Sequence, residues 1–497
     1  MGDIMQNKRA VSAVLNDNLQ ALQQIFHAER NKDIVFRSFT TAGGRDVLLA
    51  FIDGMCSSQI INEFIIRPLQ VRDKPGMDPL NVVQINAASV STVLDDAVNA
   101  ILAGDTAVFF DGMDKCHTFE TKGFDRRSIS TPATESTIKG SQEAFSESIR
   151  TSTTQIHRLI KSTQLVTEFI NVGELNQDIC ALLYLEEIVS PKLLEEVRRR
   201  VSNIKADFIM GTGMLEQMIE DNPLSLFPSM LSTERPDRAA YYLSCGRVII
   251  LVDGTPFAMV APVSLALMLD SPEGMSQRWL YGTFTRLIRM AALFCTTTLS
   301  GIYLALVLFH REMLPTTVAG AVMRSSATIP MPLLVEVLLM ETFFELVREA
   351  GLRIPNMLGS ALSIVGALIL GQAAVEANLV SPITLIVVAL SGVGNAALPD
   401  YDLAFGIRAM KLLVILMGAF FGFLGVVVAI TIICALLTNQ SSFGVPMLSM
   451  QGLRWSSGTN VAYQIPLWKQ HSRPRELSPQ KNSTAPFISR KWTKGNK

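Results

Sequence analysis

Histidine is scarce. The five in 497 residues, His27, His117, His157, His310 and His471, are dispersed, and no nucleophile, base or metal-ligand set gathers around them. An enzyme is therefore not expected. Cysteine is sparse as well: Cys56, Cys116, Cys180, Cys245, Cys295 and Cys434 show no CxxC spacing. That scatter suggests neither a zinc site nor a disulfide framework and fits a reducing compartment, so no metal and no cofactor is expected. The N-terminus, MGDIMQNKRAVSAVLNDNLQ, lacks the apolar core of a cleaved signal peptide, which points to a cytosolic first domain. The turn IKGSQEAF at 138–145 lacks the GxxxxGK[ST] of a P-loop and reads as a plain capped helix start. Charge itself is in short supply: 18% of residues are charged against 49% hydrophobic, which is too apolar for an ordinary soluble chain of this size.

The missing charge is unevenly distributed. It is common before about Arg289 and after about Gln451, and scarce between them. This predicts a membrane protein with an N-terminal cytosolic α/β domain of two subdomains, followed by an all-α helical transmembrane domain. The expected divisions are an α/β subdomain at 1–127, a Ser/Thr-rich linker and connector helix at 128–162, a second soluble subdomain at 163–285 with a hairpin at 247–262, a helical membrane domain at 286–440, and a basic cytosolic tail at 441–497. A net charge of −1 offers no general case for nucleic acid, although the segment 454–497 has many Lys and Arg and a single acid, Glu476. That tail reads as solvated, with anionic membrane lipid as its sharper alternative.

In the soluble part, Asp-Gly follows an apolar run three times, in FIDGM (51–55), VFFDGMDKC (108–116) and VIILVDGTPFAMV (248–260). Asp-Gly closes tight turns at strand ends, so Asp53, Asp111 and Asp253 are explained without a metal. Beyond Gly140, the residues Phe145, Ile149, Ile156 and Ile160 predict one thin apolar stripe on a helix that buries little and is better explained as a connector docking on other surfaces.

Four segments carry no charge over a spanning length: Met290–Phe309, Asn356–Val375, Leu379–Pro399 and Leu412–Thr438. At about 1.5 Å per residue each can cross roughly 30 Å of hydrocarbon, and up to six crossings remain open. Gly418 and Gly422 form a GxxxG, which favours close helix packing over a gating hinge. The amphipathic segment 331–353 interrupts this apolar region. Its Glu341, Glu345, Arg348 and Glu349 share one helical face, opposite Leu339, Met340, Phe343, Leu346 and Val347. One charge at mid-bilayer costs about 3 kcal/mol on insertion scales, so this face cannot look at lipid. Glu336 lies alone on the apolar side, where it needs a partner or a pore. Glu336, Glu341, Glu345, Arg348, Glu349 and Glu376 are the pore or gating candidates, because rings of acids favour cations.

The motifs TESTIKGSQEAFSESIRT, GRVIILVDGTPF, PLLVEVLLMETFFELVREAGLRIPNMLG, SIVGALILGQAAVEANLVSP and SFGVPMLSM, in this order, resemble the A subunit of GerA-type spore germinant receptors. The matching positions include Glu135, Gly140, Phe145, Glu147, Asp253, Gly254, Pro256, Gly351, Arg353, Pro355, Gly359, Gly366 and Gly371. The resemblance implies a multi-pass protein of the inner spore membrane. Its partners would be a permease-like B subunit and a lipoprotein C subunit, with which it turns nutrient sensing into ion release. In that family the B subunit is credited with nutrient binding and the A subunit with forming an oligomeric ion channel. The SpoVA-type F subunit shares this architecture. A small-solute permease and a pure scaffold are the other readings. Departures from the family pattern are Lys139-Gly140-Ser141 in place of Arg-Gly-Pro, Ser152 in place of Asn, and a helix end reduced to His157, Arg158 and Leu159.

Overall fold

The structure, a computed structural model, describes residues 9–123, 131–135, 137, 139–271, 273–352, 366, 369–448, 464–466 and 472–484. The chain divides into two compact units. An α/β unit takes residues 1–223, 230–262 and 471–497, and a helical unit takes 224–229 and 263–470.

The α/β unit contains two five-stranded antiparallel sheets. The first is built from β1 (Ile34–Thr40), β2 (Asp46–Ile52), β3 (Ala88–Ser91), β4 (Thr106–Phe110) and β5 (Cys116–Phe119), in the order β1-β2-β4-β5-β3. The second uses β6 (Leu165–Val172), β7 (Asp178–Leu185), β8 (Leu231–Thr233), β9 (Val248–Val252) and β10 (Ala258–Ala261), in the order β6-β7-β9-β10-β8. The two orders are the same pattern, so the unit is a tandem repeat of one fold.

Strand β2 is apolar almost throughout because both of its faces are covered. Leu48 and Ala50 pack with Leu22 of helix α1 (Leu15–Ile25) and Ala97 of helix α2 (Leu94–Ala103). Val47 and Leu49 point the other way, onto Ile61, Ile65 and Leu69 of the helical run 58–72. Alternation of side chains along a strand requires this arrangement.

The repeat extends to the Asp-Gly turns. Asp111, between β4 and β5, accepts the N–H of Leu15 at 3.3 Å, and Gly112 donates its N–H to the Ala13 carbonyl at 2.9 Å. Asp253, between β9 and β10, accepts the N–H of Ile149 at 2.9 Å, and Gly254 donates to the Glu147 carbonyl at 2.8 Å. Each Asp thus caps the helix that opens its own repeat, α1 in the first and α3 (Ile149–Leu159) in the second. Burial pushes the thiols of Cys116 on β5 and Cys180 on β7 up to about 12, which makes them inert core residues.

The connector departs from the sequence pattern. The stripe from Phe145 to Ile160 predicts a helix that buries little, but α3 starts at Ile149, and Phe145 lies outside it with its N–H bonded to the Glu234 carbonyl at 2.8 Å. Ser152, Thr153, Thr154, Gln155 and His157 are all buried. Their hydroxyls and amides bond to nearby backbone, as Gln155 does to the Ala144 carbonyl at 2.8 Å, so a polar helix face becomes an interior one.

In the helical unit, α4 (Trp279–Leu308) and α7 (Tyr401–Asn439) are long and apolar enough to cross a membrane. Between them lie α5 (Leu333–Leu352) and α6 (Pro382–Ala396). The span expected at Leu379–Pro399 is helical only over 15 residues, about 22 Å at 1.5 Å per residue. Pro382 at its first turn and the cap at Ser381 set that start. Most of the expected span Asn356–Val375 lies outside the described residues.

Helices α4 and α7 approach at bare backbone: a Cβ on Gly418 would meet the Gly301 carbonyl oxygen at 2.6 Å. Thr296 of α4 and Ser391 of α6 exchange hydroxyl-to-carbonyl bonds at 3.2 and 3.1 Å. The two glycines of the GxxxG do different things. Gly418 packs, whereas Gly422 sits at φ 61°, ψ −143° and interrupts the helical path of α7. A Cβ there would lie 3.0 Å from His310 and be conformationally strained.

Candidate functional site

The charged residues of α5 are brought against three other helices. Glu336 is 1% exposed, and its Oε1 accepts the backbone N–H of Ser381 at 2.5 Å. Ser381 is the N-cap of α6, its Oγ accepting the Thr384 N–H at 3.1 Å. The Thr384 hydroxyl meets Ser381 Oγ at 2.9 Å and the Tyr303 hydroxyl of α4 at 3.1 Å. A carboxylate at a helix N-terminus satisfies an otherwise orphaned N–H and sits at the positive end of the helix dipole. The partner that the lone acid requires is therefore a helix end.

One turn and a half further along α5, Glu341 is held from both sides. Its Oε2 accepts from Lys411 Nζ of α7 at 2.5 Å, and its Oε1 accepts from the Ser300 hydroxyl of α4 at 3.0 Å. Glu345 pairs with Arg348 on its own helix and lies 3.6 Å from Nε of Arg408 on α7. Glu341 and Glu345 are one turn apart, as are Arg408 and Lys411, so the helices meet as two rungs of opposite charge. Arg408 and Lys411 were not singled out in the sequence. Their signal is a pair of bases in FGIRAMKLL, just ahead of the charge-free stretch. Glu349 and Glu376 stay exposed, the latter accepting from Gln372 at 3.0 Å.

The family-signature positions of the α/β unit form a second cluster. Glu135 pairs with Arg238 and accepts from the Thr233 hydroxyl at 2.5 Å. Arg235, buried to 1% exposure, donates to Thr137 Oγ1 at 2.8 Å and to Asp237 at 2.7 and 3.1 Å. Gly140 lies beside it at φ +151°, where a Cβ would be 3.1 Å from the guanidinium. Glu234 accepts the N–H groups of Ala133 and Thr134 at 2.7 and 3.3 Å. The described part of the Ser/Thr-rich linker is thus tied down by a buried charge network around β8.

Helix α3 closes that cluster, with Asp253 and Gly254 at its start and Pro256 in the same turn. At its other end His157 meets Asp33 at 2.9 Å, both buried. The lone histidine of the helix is therefore a link between the two repeats. Beside α3 is a cavity of about 270 Å³ lined in part by Asp53, Ser57, Arg150, Gln155 and Arg158. Arg150 is paired with Asp53 and Arg158 with Glu143, so the cavity offers hydrogen bonding more than net charge. Gly351 is in the last turn of α5, Gly366 is half-buried, and a Cβ on Gly371 would touch Leu385 of α6 at 3.0 Å. Arg353, Pro355 and Gly359 lie outside the described residues. Among the described residues no group of three or more His, Cys, Asp or Glu side chains could hold a metal ion.

Over residues 20–476 the chain matches the family described as Bacillus/Clostridium GerA spore germination protein. It is 32% identical over 476 residues to the uncharacterized membrane protein YfkQ of Bacillus subtilis, covering 95% of this chain and 92% of that one. It is 34% identical over 458 residues to spore germination protein KA of the same organism, covering 90% and 84%. A crystal structure of the N-terminal domain of the A subunit of the Bacillus megaterium spore germinant receptor GerK3 aligns with 51% of this chain and 97% of its own, at 26% identity and a TM-score of 0.39.

Proposed function

Because the chain belongs to the GerA family of spore germination proteins, we propose that it is an A-type subunit of a spore germinant receptor that converts nutrient sensing into ion release without catalysing a reaction. In this reading it is a multi-pass protein of the inner spore membrane with its α/β unit and its C-terminal tail in the cytosol. It works with a permease-like B subunit and a lipoprotein C subunit, and copies of it assemble around a cation pathway.

The observation that carries the membrane part is the Glu341–Lys411 pair, 2.5 Å apart, which joins α5 to α7, one of the two helices long and apolar enough to cross a membrane. Ionisable residues in such a setting pair with one another or face a pathway. Glu336 and Glu341 are engaged by Ser381 and Lys411 within the chain, and we assign them to holding α5. Glu345, Glu349 and Glu376 are exposed, and we assign them to line a pathway on assembly, with Glu345 carrying its ion pair to Arg348. Acidic rings favour cations.

Reconstituted vesicles test this. Cation flux should fall severalfold when Glu345, Glu349 and Glu376 are changed together to Gln, while each single change has less effect. Equal flux in the triple variant would remove the acidic pathway from the proposal.

A second reading has one observation in its favour. The interruption of α7 at Gly422 is a feature of helices that build solute sites in transporters. Saturable uptake of a small solute by the chain alone, without its partners, would select the permease reading.

A further inference from the structure

The single acid of the basic C-terminal segment is not in solvent. Glu476 is 5% exposed at its side chain and lies 3.6 Å from Arg247, which is 1% exposed. Residues 472–484 are seated on the α/β unit around that pair. Ser472 and Ser483 form a bridge that closes residues 472–483 into a loop. Pro474, Leu477 and Pro479 are buried. Gln480 grips the turn after β7 with three bonds: its N–H to the Ile188 carbonyl at 3.1 Å, and its side-chain amide to the Glu186 and Val189 carbonyls at 3.0 and 2.8 Å. Arg473 donates to the Ser244 carbonyl at 2.8 Å, beside Arg247.

Arg247 has a second partner. Its guanidinium also donates to the carbonyl of Pro262, the residue at which the chain leaves the α/β unit for the long excursion 263–470. The excursion ends just before the segment that carries Glu476. One buried guanidinium therefore touches both the departing and the returning lead of the 263–470 excursion. On the returning side the contact made by Arg247 itself is an ion pair. Nε and one terminal nitrogen of Arg247 lack a hydrogen-bond partner among the described residues, because 3.6 Å is an ion-pair separation and not a hydrogen bond. Tyr242, with its ring 6.0 Å from the guanidinium, lines the same site.

We infer that residues 472–484 are a releasable strap, and that Arg247 is the clasp through which the α/β unit controls both leads of the 263–470 excursion. A buried cation with donors to spare retains its hold on the Pro262 carbonyl when the strap leaves, and re-forms the Glu476 contact when it returns. The basic residues around Glu476 keep the free strap soluble, whereas the acid and the apolar Pro474, Leu477 and Pro479 bring it back.

The inference rests on the receptor reading only for its functional readout. Hydrogen exchange of the full-length protein in lipid nanodiscs is measured for wild type, Glu476→Gln, Gln480→Ala and Arg247→Lys. The strap peptide 472–484 should exchange at least tenfold faster in Glu476→Gln and Gln480→Ala, while the β9–β10 hairpin stays protected. Arg247→Lys should loosen the strap and also residues 259–263. Wild-type exchange of the strap in Glu476→Gln overturns the clasp, as does loss of protection throughout the unit in both strap variants. Nutrient-triggered ion release from spores carrying Glu476→Gln should fall severalfold at normal protein level. A released strap with unchanged ion release overturns its control of the leads. Absence of nutrient-triggered release attributable to the wild-type chain counts against the receptor reading, and the exchange data still decide the clasp.

Discussion

Lys411→Met is a severe perturbation of the helical unit. The amine lies 2.5 Å from Glu341 Oε2, with the two side chains 7% and 14% exposed. Removing it leaves a buried carboxylate whose remaining donor is the Ser300 hydroxyl at 3.0 Å. Deleting one partner of a buried ion pair costs about 3–5 kcal/mol, chiefly because the other charge is stranded. At roughly 2–4 °C per kcal/mol for a domain of this size, the melting temperature should drop by about 6–20 °C. Adding Glu341→Leu removes the stranded charge and replaces the pair with apolar side chains of similar volume. The double variant should therefore return to within about 2 kcal/mol of wild type. With each single change costing about 3–5 kcal/mol and the double no more than about 2, the coupling in a double-mutant cycle should be at least about 4 kcal/mol. The assay is thermal unfolding in nanodiscs, with the four proteins at equal lipid ratio. A Lys411→Met loss below about 1 kcal/mol, or single effects that simply add, would refute the argument that the pair holds α5 to α7.

Four further outcomes are expected. Gly418→Leu should destabilise the helical unit by about 1–3 kcal/mol in the same melting assay, because its side chain has only the Gly301 backbone to enter, whereas Gly320→Ala, with no atom within 4 Å, should be neutral or slightly stabilising. Asp111→Ala and Asp253→Ala should each cost about 1 kcal/mol in chemical denaturation, since both remove a helix cap at equivalent points of the repeat. Glu168 accepts from Arg198 at 2.9 and 2.7 Å and from Tyr184 at 2.5 Å. Burial alone raises its pKa, but these donors outweigh burial and hold it below the ordinary 4.5. A depressed carboxylate contributes stability above its unfolded pKa and loses it as pH falls through the folded one. Glu168→Gln should thus cost about 2–3 kcal/mol at pH 7, and its gap from wild type should narrow in denaturation curves taken progressively below the ordinary value of 4.5. Last, Glu336→Gln, which keeps an acceptor for the Ser381 N–H, should melt within about 1 kcal/mol of wild type, whereas Glu336→Leu, which leaves that N–H buried and unpaired, should lose about 1–3 kcal/mol.

Local features were legible in the sequence. Asp-Gly after an apolar run marks the end of β2, β4 and β9, and the heavily charged face of 331–353 excludes a lipid-facing helix on the energetics of charge in hydrocarbon. What could not be read depends on partners far along the chain. Asp253 caps a helix 104 residues before it. Glu336 accepts from an N–H 45 residues after it. Thr137, Ser152, Thr153 and Thr154 belong to a Ser/Thr-rich stretch, yet they are buried, Thr137 against Arg235 and the other three with their hydroxyls on nearby backbone carbonyls. Likewise, the shared strand order of the two sheets follows from pairing, which can be conserved in shape where residue patterns differ. Residues 472–484 are the clearest case: the excess of bases around them suggests solvent or lipid, yet Glu476 lies 3.6 Å from the buried Arg247 and Gln480 bonds to the turn after β7.

The central proposal is that this chain couples nutrient sensing to ion movement. Its most direct test is cation release from spores that lack the chain, measured after exposure to a panel of nutrients, with wild-type spores and a complemented strain alongside. The proposal predicts that release in response to at least one nutrient disappears without the chain and returns with it. Release of equal rate and extent for every nutrient to which wild-type spores respond would contradict it.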